Sequence, residues 1–191
     1  MAKVQDVAKL FIDIAEKQAE NEQGDGMSNL KLQKLLYFAQ GWYMARYDEP
    51  LFDAPMEAWR LGPVVPSVYA EYQHFGRNPI HDVPPVDSAF TRQEFDFLMD
   101  IVREYWRYSA SALIDMAHEQ GTPWAKVYQK DVPHIPLTQE ALKDYFRGLP
   151  PLRSFSEILA AVKKKIPVIS PIGHTTSGAD IFPREVAEGW E

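Results

Sequence analysis

The chain has 191 residues, 27 Asp and Glu against 20 Lys and Arg, and a formal charge of −7, so it is long enough to bury a core without a metal or disulfide staple. An apolar content of 46%, with five Trp, nine Tyr and ten Phe, excludes disorder of the whole chain, and the lack of Cys excludes disulfides and thiol catalysis, as suits a reducing cytosol. The acidic balance opposes phosphate backbones, whose binding depends on Lys and Arg, so no nucleic-acid partner is expected.

Met1-Ala2-Lys3-Val4-Gln5-Asp6 lacks the basic and apolar blocks of a signal peptide, and nowhere does an apolar run approach membrane-spanning length. A soluble cytoplasmic protein with no membrane partner is therefore expected. Val4, Val7, Ala8, Phe11, Ile14 and Ala15 predict an amphipathic first helix. Gly24-Asp25-Gly26 breaks the chain after it; without a following G-K-[ST] or a preceding strand it reads as a turn and not a phosphate loop.

Ser28 is placed as N-cap of a central helix whose stripe is Leu32, Leu35, Leu36, Ala39, Trp42 and Tyr43. Leu30, Tyr37, Phe38 and Met44 add apolar surface off that stripe, so the helix should be enclosed on several sides. Pro50-Leu51-Phe52, then Glu57-Ala58-Trp59-Arg60-Leu61, then Gly62-Pro63-Val64-Val65-Pro66 read as turn, short strand and turn. Pro66 then opens a helix carrying Val68, Tyr69 and Tyr72.

Residues 76–90, rich in Gly and Pro, are expected to form a connecting loop. Thr91 and Glu94 form a capping box, Phe90 and Phe95 stand at the positions of a hydrophobic staple, and Phe95, Leu98, Met99, Val102, Tyr105 and Trp106 define the inward face. Ser109 or Ser111 caps a short helix with Leu113, Ile114 and Ala117, which Gly121 ends; Thr122-Pro123 restarts the chain into Trp124 and Val127. Thr138 starts a helix with Ala141, Leu142, Tyr145 and Phe146 inward and Gly148 at its end. Ser154 and Glu157 offer a second capping box before Ile158, Leu159 and Val162, and the basic run Lys163-Lys164-Lys165 reads as a solvated helix end. The prediction is a mainly α, compact helical domain over 1–168, with a small β-hairpin or short antiparallel strands near residues 51–65 and an aperiodic flexible tail over 169–191.

The ordered series LKLQKLLYFAQGWYMA, PLF and MEAWRLGPVVPSVY closely resembles the Panacea domain, the SocA-like or phage-associated GepA-like antitoxin domain. The resemblance covers roughly residues 5–130 and is sharpest in Leu-Gln-Lys-Leu-Leu-Tyr, Glu-Ala-Trp and Gly-Pro-Val-Val-Pro. It implies an antitoxin without catalytic residues or cofactor, encoded beside a toxin that it neutralises by direct protein contact. Two other mechanisms stay open beside masking: an adaptor that delivers the toxin to a cellular protease, and a DNA-binding autorepressor, which the charge disfavours.

Several side chains carry candidate roles. Lys34 faces Phe38, Gly41 and Ala45 at helical spacing, so its ammonium needs an anion, for which Glu57 on the strand with Trp59 is the candidate, or an escape to water. Lys34, Trp42, Glu57, Trp59, Gly62 and Pro63 are thus the expected structural motif. About two thirds of the large aromatics should be core; Tyr37, Met44, Arg60, Tyr69 and Tyr72 are the candidates for partner contact, since Tyr and Arg are prominent in interface hot spots. Asp115, His118 and Glu119 share helical spacing and form the candidate for a rival, metal-dependent hydrolase, although no second ligand cluster accompanies them. His74, His81, His134 and His174 lie in separate segments with no G-x-S-x-G elbow to serve.

Overall fold

The computed structural model describes residues 1–21 and 25–165, the side chains of Leu159 and Val162–Lys165 excepted. The expected tail over 169–191 lies outside the described residues. Met1–Phe155 form one compact unit; in the second unit, which starts at Ser156, the described residues continue a helix, α8, spanning Phe155–Lys165.

The first unit is a helical domain organised around one buried helix, α2, spanning Asn29–Tyr47. Ser28 Oγ accepts from the Lys31 N–H to start it, and Asp48 in the left-handed region (φ 64°) ends it. Because its apolar residues run all round, water can be excluded only by neighbours on every side. Those neighbours are α1 (Val4–Glu20), α3 (Pro66–Tyr72), α4 (Arg92–Tyr105), α5 (Ala110–His118) and α7 (Gln139–Arg147). Ser109, Thr122 and Thr138 cap α5, α6 (Pro123–Val127) and α7 as expected.

Two small sheets complete the unit. Strands β2 (Met56–Trp59) and β3 (Gly62–Val64) form the expected hairpin, with Glu57 opposite Val64, Ala58 opposite Pro63 and Trp59 opposite Gly62. Gly62, at φ +100°, takes the left-handed place that hairpins commonly need just after the turn, here Arg60-Leu61. A two-residue strand, β5 (Pro136–Leu137), pairs with the other side of β2, so the order is β3-β2-β5. Strands β1 (Met27–Ser28) and β4 (Pro79–Ile80) also pair, which places a short strand inside the segment expected to be loop.

Two inward faces differ from expectation. In α1, Ile12 is fully buried and Ile14 only half-buried. In α4, the buried residues are Glu94, Phe97, Leu98, Asp100, Ile101 and Tyr105, while Phe95 stands 42% exposed and Met99, Val102 and Trp106 are half-buried. Buried acids displaced the apparent phase: Glu94 completes the capping box with Thr91, and Asp100 accepts from Arg46, Arg103 and the Phe155 N–H. A carboxylate with that many donors is tolerated inside, where an unpaired one is not.

Gly41 lets α7 approach α2. A Cβ there would lie 2.1 Å from Phe146 Cε2, and that ring is itself held by Tyr37 and Trp42 at centroid distances of 5.4 and 5.3 Å. Helix propensity alone predicts that Gly41→Ala stabilises by up to about 1 kcal/mol. Overpacking predicts the opposite sign, a loss of about 1–3 kcal/mol. Urea unfolding of the variant should show the loss; a gain would mean that Phe146 does not occupy this space.

Candidate functional site

On a largely apolar helix the few buried polar side chains stand out, and in α2 Gln33, Lys34 and Gln40 each bond to the backbone of the segment that follows. Gln40 Oε1 accepts from the N–H groups of Leu51 and Phe52 at 3.1 and 3.2 Å while its amide donates to the Phe52 carbonyl. Gln33 Oε1 accepts from the Val65 N–H at 2.9 Å, and Lys34 Nζ donates to the Pro63 carbonyl at 2.6 Å. One turn of helix thus grips the second hairpin strand at Pro63 and, just past the end of that strand, at Val65.

Lys34 has 0% exposure, so the escape to water is closed, and it does not pair with Glu57. The alternation of β2 explains this: Met56 and Ala58 face the interior, leaving Glu57 and Trp59 on the opposite face. There Glu57 Oε2 accepts from Trp59 Nε1 at 2.7 Å and lies 2.9 Å from His134 Nδ1. Burial lowers Lys34 to about 7.

His118 sits beside this lysine. A Cβ at Gly62 would lie 2.9 Å from Lys34 Nζ and 3.4 Å from His118 Nε2, so only glycine fits over the pair. His118 Nε2 is buried with no hydrogen-bond partner among the described residues. Burial first, then the neighbouring Lys34, holds the imidazole below its usual range. Its ring stacks on Trp124 at 3.6 Å and 11°, and Trp124 Nε1 donates to the Trp59 carbonyl at 2.8 Å. The hairpin is therefore pinned on both strands, by Trp124 on β2 and by Lys34 on β3, with Gln33 holding Val65 just beyond it.

What this held hairpin presents is a surface. Its turn residues Arg60 and Leu61 are exposed, and the Trp59 ring meets Tyr69 edge-on at 4.8 Å. Trp59, Arg60, Leu61, Tyr69 and Arg77 line a groove of about 350 Å³, and Trp59 and Arg60 also border a second groove, against residues 128–134. Of the five candidate contact residues, Arg60 and Tyr69 lie here. Tyr37, Met44 and Tyr72 are 1%, 3% and 4% exposed and belong to the core, a correction with a simple cause: α2 and α3 are packed against neighbouring elements that cover these side chains. Trp42 is buried in the stripe as expected.

The family model described as "Antitoxin SocA-like, Panacea domain" matches residues 32–125. A curated relative, Antitoxin SocA of Caulobacter vibrioides (strain NA1000 / CB15N), is 31% identical over 140 residues, covering 63% of this chain and 72% of that protein. The chain belongs to the SocA-like Panacea family. No solved structure matches it. The family's matched stretch contains Lys34, the whole hairpin, His118 and Trp124.

The rival metal reading of this Panacea domain loses its geometry. Helix α5 ends at His118, and Glu119 turns to extended backbone (φ −53°, ψ 147°), so Asp115, His118 and Glu119 do not share one helical face. Among the described residues no group of three His, Asp or Glu side chains converges to hold a metal. No helix among them is long and apolar enough to cross a membrane.

The burial of Lys34 has a pH signature. Below about 7 it is protonated in both states; above that the folded protein sheds a proton which the unfolded chain keeps up to about 10.5. The unfolded state then binds more protons, so this group makes stability rise with pH across that window. Chemical unfolding at pH 7 and pH 9 should show a gain in the natural chain that shrinks in Lys34→Met, and equal gains in both would remove Lys34 as its source.

Proposed function

We propose that this chain is an antitoxin that neutralises a cognate toxin, encoded by an adjacent gene, through direct protein contact in the cytoplasm. The observation that carries this reading is its kinship with Caulobacter Antitoxin SocA over 72% of that protein's length. The mechanism is steric masking: a rigid scaffold covers the toxin's active or substrate site with exposed side chains and performs no bond-making chemistry itself. What supports this assignment in the fold is that Lys34 is spent on holding the hairpin, and that His118, packed on Trp124, lies with it beneath Gly62. The charge of −7 would speed encounter with a basic toxin more than it would tighten the complex.

Co-expression with the product of the neighbouring open reading frame should restore growth and yield a stable complex on pull-down. In protease-deficient cells the toxin should persist and remain neutralised, which separates masking from delivery to a protease. Absence of both complex and rescue would remove the antitoxin reading.

A further inference from the structure

The groove beside the hairpin turn has a composition at odds with the rest of the molecule. The chain carries 27 acidic against 20 basic residues, yet the groove lining includes Arg60 and Arg77 and no carboxylate. Both arginines are exposed, and neither makes an ion pair or side-chain hydrogen bond among the described residues. Elsewhere the domain pairs its arginines readily: Arg46 and Arg103 with Asp100, Arg92 with Asp96, Arg147 with Asp48. The same groove is lined by the apolar side chains of Leu30, Trp59, Leu61 and Tyr69.

Such a lining offers two planar cationic forks together with aromatic and aliphatic side chains. Arg binds carboxylates with two parallel hydrogen bonds, and Trp, Tyr and Arg are the side chains that dominate interface energetics. Strand addition is not available as the alternative mode. β3 is an edge strand, but Pro63 has no N–H to offer, its carbonyl is taken by Lys34, and the N–H of Val65 is taken by Gln33. Recognition here must run through side chains.

We propose that this groove is the toxin-docking site and that it takes an acidic segment of the toxin, with carboxylates on Arg60 and Arg77 and a large apolar side chain seated between Trp59, Leu61 and Tyr69. This rests on the antitoxin reading and adds to it a surface and a chemistry. The long-range field and the local site then have separate roles: the net negative charge guides a basic partner in, and the groove selects an acidic stretch on it.

The test uses the full chain and the purified product of the adjacent open reading frame. Arg60→Glu with Arg77→Glu should weaken binding about tenfold or more and abolish growth rescue, with an unchanged thermal melt, as expected for exposed hot-spot arginines. Lys17→Glu, a charge change on α1 at a residue that does not line the groove, should leave both intact. Overlapping peptides from the same product should bind where Asp or Glu flanks a large apolar residue, and binding should fall with added salt. Full binding and rescue by the double variant would overturn the groove while leaving the antitoxin reading in place; failure of the unaltered chain to bind or rescue would remove both. Selection of basic peptides, or tight binding of a free nucleotide that competes with the toxin, would also overturn the acidic-segment assignment.

Discussion

A lysine ammonium inside an apolar interior, with a backbone carbonyl as its partner, is the constraint on which the functional half of this molecule depends. Burying such a group without a hydrogen bond is prohibitive, so Lys34 can remain inside only while Pro63 stays within 2.6 Å of it. The same short distance forces a glycine at position 62, since any Cβ would meet Nζ at 2.9 Å. A requirement for one polar contact thus propagates outward into the sequence Gly62-Pro63 and into the placement of the hairpin turn. The neutral form of the lysine, favoured by burial, lowers the cost of the arrangement near neutral pH.

Asymmetry between the hairpin's two faces follows from the same geometry. Ala58 faces the interior, while Glu57 and Trp59 face out, and Trp59 is steadied by its own neighbour through a 2.7 Å bond from Nε1 to Glu57. Trp124 holds the same residue by its backbone carbonyl, so the indole is fixed from two directions without being enclosed. A large aromatic held rigid at the surface loses little conformational freedom when a partner covers it, which is the favourable case for an interface anchor.

Much of this was readable in the sequence. Ser28, Thr91, Ser109, Thr122 and Thr138 all cap the helices they were expected to cap, because N-cap chemistry is local and needs no knowledge of tertiary neighbours. The β2–β3 hairpin was visible in its turn residues for the same reason. What failed was anything that depended on which elements meet. Tyr37 and Met44 lie off the apolar stripe and are candidates for partner contact, yet on a helix surrounded on all sides a position off the stripe carries no information about exposure. The inward face of α4 was misread because Glu94 and Asp100 looked solvent-facing until their partners were in place. Gln33 and Gln40 were passed over, although two amides on an otherwise apolar helix signal buried polar groups that require partners. The short strands β1, β4 and β5, two residues each, carry no periodicity to detect.

The division of labour inside the hairpin has a consequence for how its surface can change. The hydrogen bonds that hold the hairpin from α2 and from Trp124 all use backbone groups: the carbonyls of Trp59 and Pro63 and the N–H of Val65. None uses the side chains of Arg60 or Leu61, which occupy the turn and point to solvent among the described residues. Backbone acceptors survive substitution, so side chains at the turn can be exchanged without disturbing the contacts beneath, and effects on stability and on recognition should be close to additive there. At Lys34, Gly62 and His118 the opposite holds, because each side chain or missing side chain is packed against the other two. Conserving the buried trio while altering the turn is thus the physically inexpensive way for such a scaffold to change what it recognises, and a change in the trio alters the surface only by moving the strand that carries it.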